Sequence, residues 1–117
     1  MLPPNANLPE LPAQPALPDG ATRIASGMVT VAVAPGGSQD LEAQQLISNA
    51  PPSAAVVWTI AWRSTDPLTA SWYRQGGTTD LGRGRWGSAE LGGAGFRLRN
   101  DGAATVFAEV HYVIGSR

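Results

Sequence analysis

Cysteine and lysine are both absent from these 117 residues, and histidine occurs once, at His111. Without thiols the chain can form no disulfide and no thiolate metal site. One histidine among scattered carboxylates leaves no ligand set for zinc and no calcium loop, so no metal or other cofactor is expected. No apolar run approaches the roughly 18 residues that a membrane-spanning helix needs. The first twenty residues have neither the basic start nor the apolar stretch of a secretory signal, so no leader is expected there. Charge of one sign is missing as well. Eight arginines stand against nine acidic residues, for a net charge of −1. That balance supplies no basic excess for a phosphate backbone or an anionic lipid surface, and neither nucleic acid nor membrane is an expected partner.

Catalytic signatures are equally scarce. Gly82-Arg83-Gly84-Arg85-Trp86-Gly87 matches a dinucleotide-binding fingerprint by letter. That fingerprint works only between a strand and a helix N-terminus, and the segment that follows, Ser88–Gly95, holds three more glycines and cannot start a helix. Arg83 and Arg85 beside Trp86 form an arginine/aromatic pair able to clamp a base, but two arginines in an acidic-leaning chain do not make a nucleic-acid surface. Glu109 shares a face with His111, yet there is no cysteine and no serine in a nucleophile-elbow context for such a base to activate. The expectation is a protein that is not an enzyme.

What is present begins with proline. Six of the ten prolines fall at Pro3, Pro4, Pro9, Pro12, Pro15 and Pro18. Each fixes its own φ and biases the residue before it toward extended geometry, which excludes a helix and a regular ladder. Residues 1–21 therefore read as an extended arm. Leu2, Leu8, Leu11 and Leu17 recur between the prolines; a solvated linker gains nothing from them, whereas a docking arm can place each in a pocket at low ordering cost. These four leucines are the candidate partner-binding residues.

Residues 22–117 change to short runs of period two, the mark of half-buried strands. Val29, Val31 and Val33 alternate in Thr22–Ala34, and Pro35-Gly36-Gly37-Ser38 reads as a turn. Gln39–Ser48 could form one or two helical turns but reads rather as a strand or an irregular segment, and residues 49–53 as a loop. In Ala54–Arg63, Val56, Trp58, Ile60 and Trp62 share one face. Asp66-Pro67 signals a turn before a strand over Leu68–Arg74, followed by a loop over Gln75–Asp80. Gly82–Leu91 reads as a bent or bulged strand. Phe96–Arg99, the turn residues Asn100-Asp101-Gly102 and Ala104–Ile114 read as a hairpin, in which Glu109 could meet Arg97 or Arg99. Six to eight strands at this spacing suggest a sandwich or a barrel, and an antiparallel β-sandwich of jelly-roll type is the favoured expectation. Both faces of the tryptophan strand and of the last strand carry apolar groups, which argues for a second contact such as an oligomer interface. Trp58, Trp62, Trp72 and Trp86 are the candidate interface anchors, or alternatively a platform for stacking sugar rings.

Several of these runs resemble the small β-sandwich domains of tailed-bacteriophage appendage and decoration proteins. They are the opening strand and turn Gly27–Gly37, the proline-preceded strand Pro51–Val57, Gly95–Asn100, and the closing Val110–Gly115. The resemblance implies a virion structural protein, assembled in the host cytoplasm, that docks through its N-terminal arm on a major capsid or tail protein. It also implies a homo-oligomer, with a trimer favoured. The chain is short for a long fibre and lacks shaft repeats. A capsid decoration (cement) protein or head fibre is therefore favoured over a tail fibre or tail-tip component. A carbohydrate-binding module directed at a host glycan is the competing reading.

Overall fold

The computed structural model describes residues 8–11, 14–46, 55–74, 77–92 and 95–117. The chain is all-β: β1 (Thr22–Val33), β2 (Ser38–Glu42), a 3-10 turn over Ala43–Gln45, β3 (Val56–Arg74), β4 (Gly77–Gly92), β5 (Gly95–Arg99) and β6 (Val106–Ser116). Among the described residues all pairings are antiparallel, and the six strands form one continuous sheet.

β3 organises the sheet. Its first half, Val56–Ser64, pairs with β6, and its second half, Thr69–Tyr73, pairs with β5, while β4 runs beside it along both halves. The result is a curled half-barrel with two wings. One is ordered β1-β6-β3-β4, the other β2-β5-β3-β4. The bend lies where Arg63 pairs with Trp86 and Leu68 with Gly84, so that four residues of β3 oppose Arg85 alone. The sequence expectation of a turn at Asp66-Pro67 is corrected here: the strand continues through it as a bulge. Proline tolerates such a site because a bulge leaves ladder donors unused. Ser64 is fully buried, and its hydroxyl donates to the Asp66 carbonyl at 2.7 Å. Thr65 Oγ1 accepts the Phe107 amide at 3.1 Å.

The hairpin expected at the C-terminal end does not form. β5 and β6 do not pair; they belong to different wings. The 100–105 segment is a crossover, and so is the β1–β2 turn at Ala34–Gly37, where Gly36 has φ 71° and Gly37 N–H donates to Ala34 O. Asn100 ties the two crossovers together. Its Nδ2 donates to Val33 O and Ala104 O, its Oδ1 accepts the Gly102 amide, and its backbone exchanges bonds with Gly36 and Gly37. An Asx turn looks the same in sequence whether it closes a hairpin or launches a crossover. The residues read as a loop over Gln75–Asp80 likewise differ in part, since Gly77–Asp80 lie in β4. The bulged character expected of Gly82–Leu91 is present: Leu81 is an extra residue between the Ala70–Gly82 and Ser71–Asp80 pairs, and Gly82 has φ 106°. The loop expected over 49–53 lies outside the described residues.

The core lies inside the curl. Val56, Trp58, Ile60 and Trp62 are buried together as the alternation requires, with Val106, Ala108, Val110 and Ile114 from β6 and Leu68, Ala70, Phe96 and Leu98 from the other wing. Trp62 meets Phe96 at a centroid distance of 5.0 Å, a tilted aromatic contact that joins the wings. The Trp62 ring occupies the space that a Cβ on Gly87 would need.

Candidate binding surface

Period-two alternation gives each wing an outer face, and the two faces differ in what lies on them. On the β1-β6-β3-β4 wing, cross-strand register places Thr30, Glu109, Arg63 and Trp86 in one row, then Met28, His111, Ala61 and Ser88 in the next. Ala61 and Val113 point outward yet are 1% and 5% exposed, and arm residues Gln14 and Pro15 lie on this face beside Val113. Arg63 Nη1 donates to the Pro9 carbonyl at 3.2 Å. Pro18 is buried, and Leu17 packs on Gly115. A Cβ at Gly115 would lie 2.7 Å from Leu17 Cδ1 and 3.0 Å from Thr22 O, so glycine there admits the leucine. The arm enters β1 through a turn in which Ala21 N–H donates to Pro18 O and Gly20 has φ 79°.

Beneath the arm, Glu109 holds three bonds. Oε1 accepts from Arg63 Nε at 3.1 Å and Nη2 at 2.8 Å, and lies 2.7 Å from His111 Nε2. Burial pushes the Glu109 carboxyl up, but the hydrogen bonds and charges of His111 and Arg63 outweigh it and hold it below the usual carboxylate value. The arginines expected opposite Glu109 pair elsewhere: Arg97 with Asp40 and Arg99 with Asp101. The sequence placed Glu109 and His111 on one face correctly. It missed Arg63 because the partner strand of β6 is β3, 46 residues away.

Of the four candidate leucines, Leu8, Leu11 and Leu17 are half-buried, and Leu2 lies outside the described residues. The four tryptophans separate. Trp58 and Trp62 are core residues, and Trp58 Nε1 donates to Gly92 O at 3.1 Å. Trp72 is half-buried against the core. Trp86 alone is open, at 59% exposure. With Pro9, Glu10 and Leu11 it lines a groove of about 530 Å³. The other exposed large apolar side chains among the described residues, Ile24 and Met28, are on β1 of the same wing. A platform of several tryptophans is therefore not formed; one exposed indole beside the arm is.

The outer face of the β2-β5-β3-β4 wing is polar. Ser38, Arg99, Thr69 and Arg83 form one row and Asp40, Arg97, Ser71 and Asp80 the next. Arg97 makes two bonds to Asp40, at 2.7 and 3.0 Å, and stacks over Tyr73 at 4.8 Å. Tyr73 lies across Gly95, where a Cβ would overlap its ring, and donates to Glu42 at 2.9 Å. Burial, then the Glu42 bond, raises the Tyr73 hydroxyl above its ordinary value. Among the described residues no three His, Asp or Glu side chains stand close enough to hold a metal ion.

No protein-family model matches the chain, and no curated protein matches it. Among solved structures it is similar to a de novo designed double-stranded β-helix determined by solution NMR, at 18% identity and a TM-score of 0.45, over 74% of this chain and 97% of that one.

Proposed function

We propose that this chain is a non-catalytic structural protein of a bacteriophage particle, a capsid decoration protein or head fibre, and that the arm-bearing wing is its docking side. The observation that carries this reading is the segregation of apolar surface: Ile24, Met28 and Trp86 all lie on the wing that bears the arm, while the other wing presents charge and hydroxyls. Large apolar side chains left open on one wing beside the arm are what a docking side would offer a partner. The partner is a neighbouring capsid or tail subunit, the protein acts as a homo-oligomer (a trimer on the resemblance), and its place is the virion. We read the curl as a jelly-roll-like sandwich, a reading supported by the Trp62–Phe96 contact between the wings.

The test replaces Leu2, Leu8, Leu11 and Leu17 with serine and asks whether the protein is still incorporated into particles. Loss of incorporation with the same strand signal by circular dichroism is expected. Normal incorporation would remove the arm from the docking role. The exposed Trp86 also favours a second reading, a glycan-binding module, since an open indole can stack on a sugar ring. Quenching or enhancement of tryptophan fluorescence across a host glycan panel, abolished by Trp86→Ser, would establish it.

A further inference from the structure

Strand edges expose unpaired backbone groups, and proteins guard them with shortness, charge, proline, bulges or cover. The edges of this sheet are unequally guarded. β2 is five residues long, carries Asp40 and Glu42, and ends in a 3-10 turn. β4 is broken by the bulges at Leu81 and opposite the bend, has Gly77 and Gly82 at positive φ, and carries Asp80, Arg83, Arg85 and Glu90. β1 is different. From Ala25 to Val33 its ladder with β6 is regular, with no charge and no proline. Its one irregularity lies at the start, between Arg23 and Ala25. Among the described residues, only Gln39 Nε2 bonds across the free side, at the Ala32 carbonyl (3.2 Å). By the two-residue alternation, Thr30, Met28 and Ser26 turn their backbone groups the same way.

We infer that β1 pairs antiparallel with β1 of a second copy of this chain, about a two-fold axis at Met28. The guarded edges leave β1 as the edge to which a copy can add. The register is self-complementary: Met28 meets its own copy, Ser26 meets Thr30, and on the inner face Gly27 meets Val29 and Ala25 meets Val31. No like charges face one another in this segment. Met28, 48% exposed in the single chain, becomes covered, and the half-buried Val29 and Val31 gain neighbours across the axis. A two-fold contact is isologous and closes on itself, so the product is a dimer rather than an open fibre. This names one partner of the docking wing and rests on the assembly reading above, with a pair in place of the trimer.

The chain's lack of cysteine makes the test direct. Light scattering on the full chain from low to high micromolar concentration should give the dimer mass. In Met28→Cys the two sulfur-bearing residues would sit at a Cα separation of about 5.5 Å, as in a hydrogen-bonded antiparallel pair, within the disulfide range of about 4.4–6.8 Å. Mild oxidation should therefore convert it to a disulfide-linked dimer. Met28→Lys sets two ammonium groups opposite each other and should weaken the dimer at least about tenfold, with an unchanged fluorescence spectrum showing that the fold persists. A monomer at all concentrations overturns the pairing, as does a dimer that resists Met28→Lys. A trimer indifferent to Met28→Lys overturns the pairing too, but leaves the assembly reading intact. Lost particle incorporation with an intact dimer separates the two in the opposite sense.

Discussion

The outer faces of the two wings carry arginine–carboxylate pairs of nearly equal length in unequal surroundings. Arg63–Glu109 measures 2.8 Å and lies beneath the arm, with the two side chains 29% and 11% exposed. Arg97–Asp40 measures 2.7 Å and stands in the open, at 40% and 39%. Geometry alone would rank the second pair higher, since it is bidentate. Solvent reverses the ranking. An exposed pair gains little because water screens it and two long side chains must be held still. The covered pair cannot lose one member without leaving a buried charge short of partners. Arg63 also anchors the arm at Pro9, so its loss is felt in two places.

The largest expected effect tests whether the wings are independent at all. Trp62→Ala removes the ring that meets Phe96 across the curl and fills the space at Gly87. It should destabilise the domain by about 3–5 kcal/mol, and urea unfolding followed by fluorescence and by circular dichroism should shift together. Separate transitions would show two units where one is expected. Next comes the pair of pairs: Arg63→Ala should cost about 1–3 kcal/mol, and Arg97→Ala less than about 1 kcal/mol, both read from urea midpoints. Equal costs would mean that cover by the arm adds nothing to the Arg63–Glu109 pair.

Acid separates the two pairs further. The Glu109 and Asp40 carboxyls both lie below their ordinary values, Asp40 chiefly through its hydrogen bond to Arg97. A depressed folded-state value means stability that is fully present above the unfolded value, about 4, and lost as pH falls through the folded one. Melting temperature should therefore drop below about pH 4. Glu109→Gln should flatten that drop more than Asp40→Asn does, because Asp40 is screened. The smallest effect is a gain. Thr59 Oγ1, on the arm-bearing wing, is buried without a partner among the described residues, and Thr59→Val should leave stability unchanged or raise it by up to about 1 kcal/mol in thermal melts.

These contrasts show what a single sequence can reveal. Alternation assigned Val56, Trp58, Ile60 and Trp62 to one buried face because side-chain direction in a strand is a local property. The turn at Pro35–Ser38 and the bulge near Gly82 were legible for the same reason: glycine and proline act on their own φ. Partnership is not local. Nothing in Phe96–Ile114 says that β5 and β6 join different wings, so the bonds of Asn100 and the Arg63–Glu109 pair stayed hidden. Pro67 misled because a bulge and a turn use the same residue. The tryptophans were countable, but exposure depends on which face closes over them. Only Trp86 stayed open, on the outer face beside Arg63.

The pairing of β1 with β6 has a temporal consequence. Among the described residues, the strand made first has its only intramolecular strand partner in the strand made last. A growing chain holds Ala25–Val33, uncharged and rich in valine, without a ladder until residues 106–116 have been synthesised. Closure of such distant segments is slow relative to local pairing, and an unpaired strand is an aggregation hazard while it waits. Yield should therefore depend on how quickly the C-terminal strand is delivered, even in variants whose folded stability is unchanged.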